Sequence, residues 1–224
     1  MPLPLMIFGA GFGTRMGALT QNTPKPLIQT GGKALIDHAV ALADTAKSAP
    51  VVVNTHYLAE QMQAHFAPRP EITLSHEPDI LETGGGLRRA LPLLHSNPVL
   101  TLNSDAIWRG PNPLTLLEQA WRPEMEALLL LLPAAQTHGR KPDAKGDFAL
   151  TQTGQITRPG PLVYSGAQII RTDRLAQIAE EKFSLNVIWN EMIAAGTAHG
   201  IPYPGEWCDV GHPGGIPIAE SLLV

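Results

Sequence analysis

Residues 9–27 read GAGFGTRMGALTQNTPKPL and follow directly on the apolar run Leu5 to Phe8. Glycines at 9, 11 and 13 let backbone N–H groups close on an anion where a Cβ would clash, and Arg15 and Lys25 place positive charge beside them. A strand that runs into such a loop is a phosphate-handling device. The competing pattern, a dinucleotide fingerprint of the G-x-G-x-x-G type, fails on three counts. Thr14 occupies the third glycine position, no acidic residue closes the next strand, and Pro24 and Pro26 stop a long helix from starting at once.

Outward from this loop, apolar runs alternate with amphipathic segments. Strands are expected at Pro4 to Phe8, Val51 to Thr55, Ile72 to Ser75 and Val99 to Asn103, with helices between them at Ala34 to Ala46, Leu58 to Phe66 and Thr83 to Leu94. That is a βαβαβαβ order. The strands are continuous Val/Leu runs, as a mainly parallel sheet covered on both faces requires, so the fold class is α/β. Beyond Leu114 the regularity falls: strands are expected at Ala127 to Leu132 and Val163 to Ile170, a polar loop at Thr137 to Lys145, and helices at Leu185 to Ala195 and Gly214 to Leu222. The prolines near 68–78 and 111–123 read as loop residues. The 224 residues, 44% of them hydrophobic, suffice for one domain, with a nucleotide-binding half at 1–112 and a second half at 113–224.

Charge narrows the partners. A net charge of −4 without a basic run argues against a nucleic-acid or anionic-membrane surface, so an anion must be met locally. No leader peptide or membrane-length apolar stretch is visible, and a single cysteine, Cys208, excludes an internal disulfide framework; the expected location is the cytoplasm. The oligomeric state is open between a monomer and a small homo-oligomer. The eight histidines show no paired ligand spacing, which argues against zinc.

Ligands of open parallel sheets bind beyond the carboxyl ends of the strands. There the chain places its glycine loop, then Asn54, Thr55 and His56, then Glu77 and the segment LETGGG at 81–86, then Asn103, Ser104 and Asp105. Three successive glycines cost a helix about 2 to 3 kcal/mol in propensity, so Gly84 to Gly86 imply a helix start whose free N–H groups receive a base edge or a phosphate. Glu82 and Thr83 serve equally as caps of that helix. Asp105 closes an apolar strand, where an unpaired carboxylate is costly unless it meets a cation or hydrogen-bond donors. Mg2+ suits it, since that ion is held by one or two carboxylates plus substrate phosphates, and Asp209 is the best second ligand. The competing role for Asp105 is a turn or helix cap, with Asn112 and Pro113 close behind.

Taken in order, GAGFGTRM, TPKPL, LETGGG, NSDA at 103–106, YSG at 164–166 and WCDVG at 207–211 resemble the sugar-1-phosphate nucleotidyltransferase family over nearly the whole chain. The resemblance implies a Rossmann-like three-layer α/β/α sandwich with a mixed, mainly parallel sheet. It implies transfer of a nucleoside monophosphate from a nucleoside triphosphate to a sugar 1-phosphate, with release of pyrophosphate and with Mg2+ as cofactor. In that chemistry a phosphate oxygen attacks the α-phosphorus in line with the leaving group, and the protein positions groups and neutralises charge. Gly9, Ala10, Gly11, Gly13 and Thr14 then hold the triphosphate, Arg15 and Lys25 meet the developing charge, and Asp105 and Asp209 hold the metal. Asn54 and Glu82, Thr83, Gly84 and Gly85 lie against the base. The sugar falls to Gly146, Asp147, Ser165 and Gly166.

With KGDF at 145–148, the same resemblance favours UTP and N-acetylmuramate 1-phosphate, whose lactyl carboxylate one of Arg140, Lys145 or Arg158 would meet. Another base or sugar is the alternative, as is a non-catalytic nucleotide-sugar sensor, although retention of Arg15, Lys25, Asp105 and Asp209 argues against the sensor. Departures from the family pattern are Gly9 for the usual Ala, Ala18 for Pro, and His212 for Thr. The family's Glu-Lys-Pro segment is absent, with Ile156-Thr157-Arg158-Pro159 in its vicinity.

Overall fold

Leu5, Met6 and Ile7 are all shut off from solvent, which a strand achieves only when both faces of its sheet are covered. The computed structural model describes residues 2–140 and 144–224. Its elements run β1 (Leu5–Phe8), a short pair β2 (Gln29–Thr30) and β3 (Lys33–Ala34), α1 (Leu35–Ala46), β4 (Val51–Thr55), α2 (Ala59–Phe66), β5 (Ile72–His76), α3 (Glu82–Leu94), β6 (Val99–Asn103) and β7 (Ala106–Arg109). There follow α4 (Pro113–Ala120), β8 (Ala127–Pro133), β9 (Thr137–His138), β10 (Phe148–Leu150), β11 (Ile156–Ile170), α5 (Asn186–Ala194), β12 (Ala198–Pro202), β13 (Glu206–Asp209) and α6 (Gly215–Leu223).

The central sheet has the order β12-β8-β11-β6-β1-β4-β5, with β10 paired to β11. β1 lies parallel to β4 and β6, β4 to β5 and β8 to β12, while β11 is antiparallel to β6, β8 and β10. The sheet is mixed and mainly parallel. Alternate residues feed two layers. Leu5, Ile7, Val53 and Leu102 pack with α1, α2 and α4; Met6, Val52, Leu129 and Leu131 pack with α3 and α5. Fully burying one Leu is worth about 1.5–3 kcal/mol, so the five buried leucines from Leu128 to Leu132 make β8 an interior strand.

Several elements depart from the sequence expectations. Pro113 is no loop residue: it is the first residue of α4, where its missing N–H costs nothing, and Asn112 caps that helix through its side-chain oxygen to Leu114 N at 2.9 Å. The span 137–145 is partly ordered, since Thr137–His138 forms β9; residues 141–143 of that span lie outside the described residues. β11 is 15 residues long and begins seven residues before the expected Val163, and its register slips between Tyr164 and Gln168. β12, a Gly- and Pro-bearing edge strand, carries too weak a pattern to be read. The pair β2 and β3 turns on Gly31 and Gly32, both at positive φ, a signal present in Thr30-Gly31-Gly32-Lys33.

A second, three-stranded sheet of order β7-β13-β9 is the larger surprise. Its core is a separate cluster in which Ile107, Cys208 and Val210 meet Ala219 and Leu222 of α6, together with Met16 and Leu35. Cys208 is structural, as its chain neighbours imply: burial, then the adjacent Asp209, push its thiol up to about 12.

Candidate active site

The pairing of β7 with β13 sets Asp209 opposite Ala106, and Val210 N donates to the Asp105 carbonyl at 2.8 Å. Two aspartates 104 residues apart thereby share one corner beyond the carboxyl ends of β1 and β6. Asp105 does not sit in the strand itself but in the two-residue turn from β6 to β7. Lys25 Nζ reaches its Oδ2 at 2.5 Å, with the two side chains 13% and 26% exposed. Asp105 is thus paired by a protein cation, Lys25, and the cap role does not apply, because Asn112 caps α4.

Burial, followed by the charge of Asp105, holds the Asp209 carboxyl above its ordinary value of 3.8, while Lys25, Arg15 and Arg140 pull it back down. Two oxygen donors crowded into one partly dry corner, with their repulsion only partly offset, suit a hard divalent cation completed by phosphate oxygens. Among the described residues no group of three or more His, Cys, Asp or Glu side chains is placed to hold a metal by itself. Arg15, on the turn Thr14–Thr20, points back to this corner: one terminal nitrogen lies 3.2 Å from where a Cβ on Gly211 would stand, and both Asp209 oxygens lie 2.9 Å from that point. Any side chain at 211 would displace them. His212, the departure from the family's Thr, donates from Nε2 to the Gly139 carbonyl at 2.8 Å and fixes that loop against WCDVG.

The glycine loop borders the same corner. Gly9, Ala10, Gly11, Gly13, Lys25 and Asp105 line a cavity of about 160 Å³. Gly13 has φ +62, and a Cβ there would stand 2.9 Å from both Lys25 Cβ and Thr20 Cγ2, so glycine is required by conformation and by the approach of the Lys25 segment. Thr14 is exposed and is not among the residues lining that cavity. Asn54 holds the loop from beneath. It is 3% exposed, its Oδ1 accepts from Gly9 N at 2.7 Å and Ala10 N at 3.2 Å, and its Nδ2 donates to Glu77 Oε1 at 2.6 Å. Glu77, 1% exposed, accepts from Leu81 N through its other oxygen at 3.0 Å. With both ends of its amide engaged, Asn54 positions the loop and has no free edge for a base. Gly9 lies so close to the Asn54 backbone oxygen that a Cβ would come within 2.9 Å, which accounts for its replacing the family's Ala.

The reading of the triple glycine needs correction. Gly84 N and Gly85 N are not free: both donate to the Phe183 carbonyl, at 2.9 and 3.1 Å. A Cβ at Gly84 would strike the Phe183 ring, one at Gly85 the Glu181 backbone, and one at Gly86 the Glu77 carboxylate. Three glycines stand here because α3 enters against the segment 181–183 and the Asn54–Glu77 pair. Glu82 is exposed at φ +60, and Thr83 caps nothing in α3: its hydroxyl accepts from Leu185 N at 3.0 Å and so ties α3 to the start of α5.

Beside the phosphate-sized cavity lies one of about 560 Å³, and the two share Phe8 and Asn103. Of the expected residues, Thr83 and Asp147 line it. Asp147 Oδ2 accepts from Tyr164 N at 3.0 Å. Ser165 does not line it: the hydroxyl is buried and donates to Leu130 O at 2.7 Å. Gly166, at φ +89, makes the slip in β11 and lies against Asn103, while Gly146 lets its chain pass close to Pro161. These glycines shape the wall and do not reach into the space. Trp189, Ser184 and Asn186 also line the wall, and the last two were missed; the polar pair at the head of α5, in SLNVIWN, was the available signal. Of the three basic candidates, Arg158 lines the cavity, Lys145 does not, and Arg140 donates to Lys145 O at 3.0 Å and acts electrostatically on Asp209.

The MobA-like NTP transferase domain family matches residues 5–186. The chain belongs to that family. It is 36% identical to the N-acetylmuramate alpha-1-phosphate uridylyltransferase of Caulobacter vibrioides, over 99% of this chain and 97% of the relative. It is 30% identical to the protein of the same name from Neisseria meningitidis serogroup B, over 97% and 96%. In fold it is similar to a putative glucose-1-phosphate thymidylyltransferase from Bacillus anthracis, with TM-score 0.81, 17% identity, and 98% and 94% of the two chains covered. The motif resemblance to sugar-1-phosphate nucleotidyltransferases, the three-layer α/β fold and the assignment as a nucleotidyltransferase are borne out. Among the described residues of this NTP transferase domain no helix is long and apolar enough to cross a membrane.

Proposed function

We propose that the protein transfers a uridylyl group from UTP to N-acetylmuramate 1-phosphate, releasing pyrophosphate, and that residues 1–224 do so as one unit whose 1–112 half binds nucleotide and whose 113–224 half binds sugar. The observation that carries this reading is the adjacency of the two cavities, which share Phe8 and Asn103 in their walls and so set a charged phosphate corner beside a pocket large enough for a sugar or a nucleoside. The choice of UTP and of N-acetylmuramate 1-phosphate is supported by the two uridylyltransferase relatives covered end to end.

In this reading the backbone from Gly9 to Gly13, with Thr14 at its far end, cradles the triphosphate, and Asn54 and Glu77 keep that backbone in place. An oxygen of the sugar 1-phosphate attacks the α-phosphorus of UTP. The bond from that phosphorus to the bridging oxygen breaks, and pyrophosphate leaves with the electron pair. No side-chain base is needed, since the nucleophile is already an anion. Lys25 and Arg15 stabilise charge that builds on the α-phosphate and the leaving group. Lys25 must for this exchange Asp105 for phosphate oxygen. Asp105 and Asp209 would hold a divalent cation, Mg2+ by their hard carboxylate oxygens, which would supply positive charge to offset that of the phosphates. Glu82, Thr83, Gly84 and Gly85 form the nucleoside side, the two glycines by packing and not by donation; Gly146, Asp147, Ser165 and Gly166 build the sugar side.

A pyrophosphate-release screen of the four nucleoside triphosphates against glucose, mannose, N-acetylglucosamine and N-acetylmuramate 1-phosphates tests the proposal. The expected best pair is UTP with N-acetylmuramate 1-phosphate. A preference for a purine triphosphate, or equal use of a neutral sugar, overturns the substrate choice.

A further inference from the structure

The wall of the larger cavity carries one cation among the described residues, Arg158. Its guanidinium lies over the Phe148 ring at 4.6 Å from the ring centre, and Nη1 donates to Asn186 Oδ1 at 3.1 Å. Nε and Nη2, by contrast, are closed off from solvent and have no hydrogen-bond partner. Those two nitrogens form the flank of the guanidinium that grips a carboxylate through two parallel N–H···O bonds. The other arginines near elements of this region are spent: Arg88 donates to the carbonyls of Ile178 and Glu180, and Arg174 to Glu126. A charged donor edge left dry and unpaired beside a substrate-sized cavity is unfavourable until an acceptor satisfies it. Asp147, on the same wall, does not fill the role, because its Oδ2 accepts from Tyr164 N and no hydrogen bond joins it to Arg158. Burial, as the larger influence, lowers the Arg158 pKa while Asp147 opposes it.

We propose that Arg158 is the specificity-determining residue for the sugar: its Nε/Nη2 edge reads a carboxylate substituent on the sugar 1-phosphate, and the enzyme is thereby selective for acidic sugars. The inference rests on the sugar-1-phosphate reading of the site above and narrows it. A turn about the outer torsions of the side chain brings the edge into the cavity, with the Phe148 ring as its backing and Asn186 exchanged for the ligand. The 1-phosphate is not the anion concerned, since the attacking phosphate belongs at the Lys25 and Arg15 corner, and the cavity there shares Phe8 and Asn103 with this one.

The test is steady-state pyrophosphate release by the full chain with N-acetylmuramate 1-phosphate and with its lactyl amide, which is neutral and the same size, for wild type, Arg158→Gln and Arg158→Lys. Wild type should favour the acid by about 10- to 100-fold in kcat/KM, mostly through KM, as expected when a charge-assisted bond is lost. Arg158→Gln should bring the ratio close to one. Arg158→Lys keeps the charge but loses the paired donors and should fall between; it carries the test if the Gln variant does not fold. Equal losses on acid and amide, as from a structural role or a grip on the 1-phosphate, overturn the inference while leaving the substrate reading intact. Glucuronate 1-phosphate separates the two claims. If wild type prefers it to N-acetylmuramate 1-phosphate and Arg158→Gln abolishes that preference, the muramate reading fails and the inference stands. Preference for neutral sugars overturns both.

Discussion

Lys25→Ala separates what this residue does for the fold from what it does for the reaction. Its Nζ lies 2.5 Å from Asp105 Oδ2 in a pair that is partly shielded, and the site has three other charges close by in Asp209, Arg15 and Arg140. Since Asp105 keeps some access to water, losing its partner should cost the fold about 1 kcal/mol or less, a drop of about 2–4 °C in Tm for a chain of this size. Losing a donor aimed at transition-state charge is worth about 2.7–4 kcal/mol, or 10²–10³ in kcat. The variant should thus melt within a few degrees of wild type and turn over at least about 100-fold more slowly. Its requirement for divalent cation should not rise, because removing a competing cation from Asp105 leaves the carboxylates freer to hold a metal. Pyrophosphate release across a metal titration, with a thermal scan on the same sample, reads all three. More than a third of wild-type turnover, or activity recovered simply by adding metal, would refute the role.

Chelator should abolish turnover and added Mg2+ restore it, and Asp105→Asn should shift the metal titration to higher concentration; undiminished activity in chelator removes the cation from the mechanism. Asn54→Ala should strip the loop of its buried anchor and leave the Glu77 carboxylate without that donor, costing about 2–4 kcal/mol in a denaturant titration; a shift under about 0.5 kcal/mol would show that the amide is dispensable. Glu126 is held below its ordinary 4.5 chiefly by hydrogen bonds from Arg174, with Thr197 adding to them. A depressed carboxylate contributes stability that is complete above the unfolded value and is lost as pH falls through the folded one. The stability gap between wild type and Glu126→Gln should accordingly be full at pH 6–7 and shrink as the pH is lowered through and below 4.5; a gap independent of pH would refute that source of stability.

The parallel half of the sheet was legible because its inner strands β1, β4 and β6 are short apolar runs buried on both faces and followed by a polar cluster, while the edge strand β5, ITLSH, is exposed at Thr73 and His76. The glycine loop with Arg15 and Lys25 was legible for a similar reason: its chemistry lies within 19 consecutive residues. The pairing of Asp105 with Asp209 was legible only as two candidates. What joins them is the hydrogen bonding of Ala106–Arg109 to Glu206–Asp209, and a ladder between segments a hundred residues apart leaves no periodicity in either. The triple glycine shows the converse case. Its composition announced a constraint, yet whether small residues admit a ligand or a neighbouring chain depends on what approaches them, and Phe183 comes from a loop nearly a hundred residues on. Arg158 was one of three equal basic residues along the chain. Arg140 also has one dry, unpartnered nitrogen, Nη1, so what distinguishes Arg158 from it and from Lys145 is the packing of Phe148 and Asn186 around it and its place on the wall of the larger cavity. Local chemistry and strand pattern are written into consecutive residues, whereas the pairing, desolvation and orientation of charges come from contacts that exist only once distant segments have met.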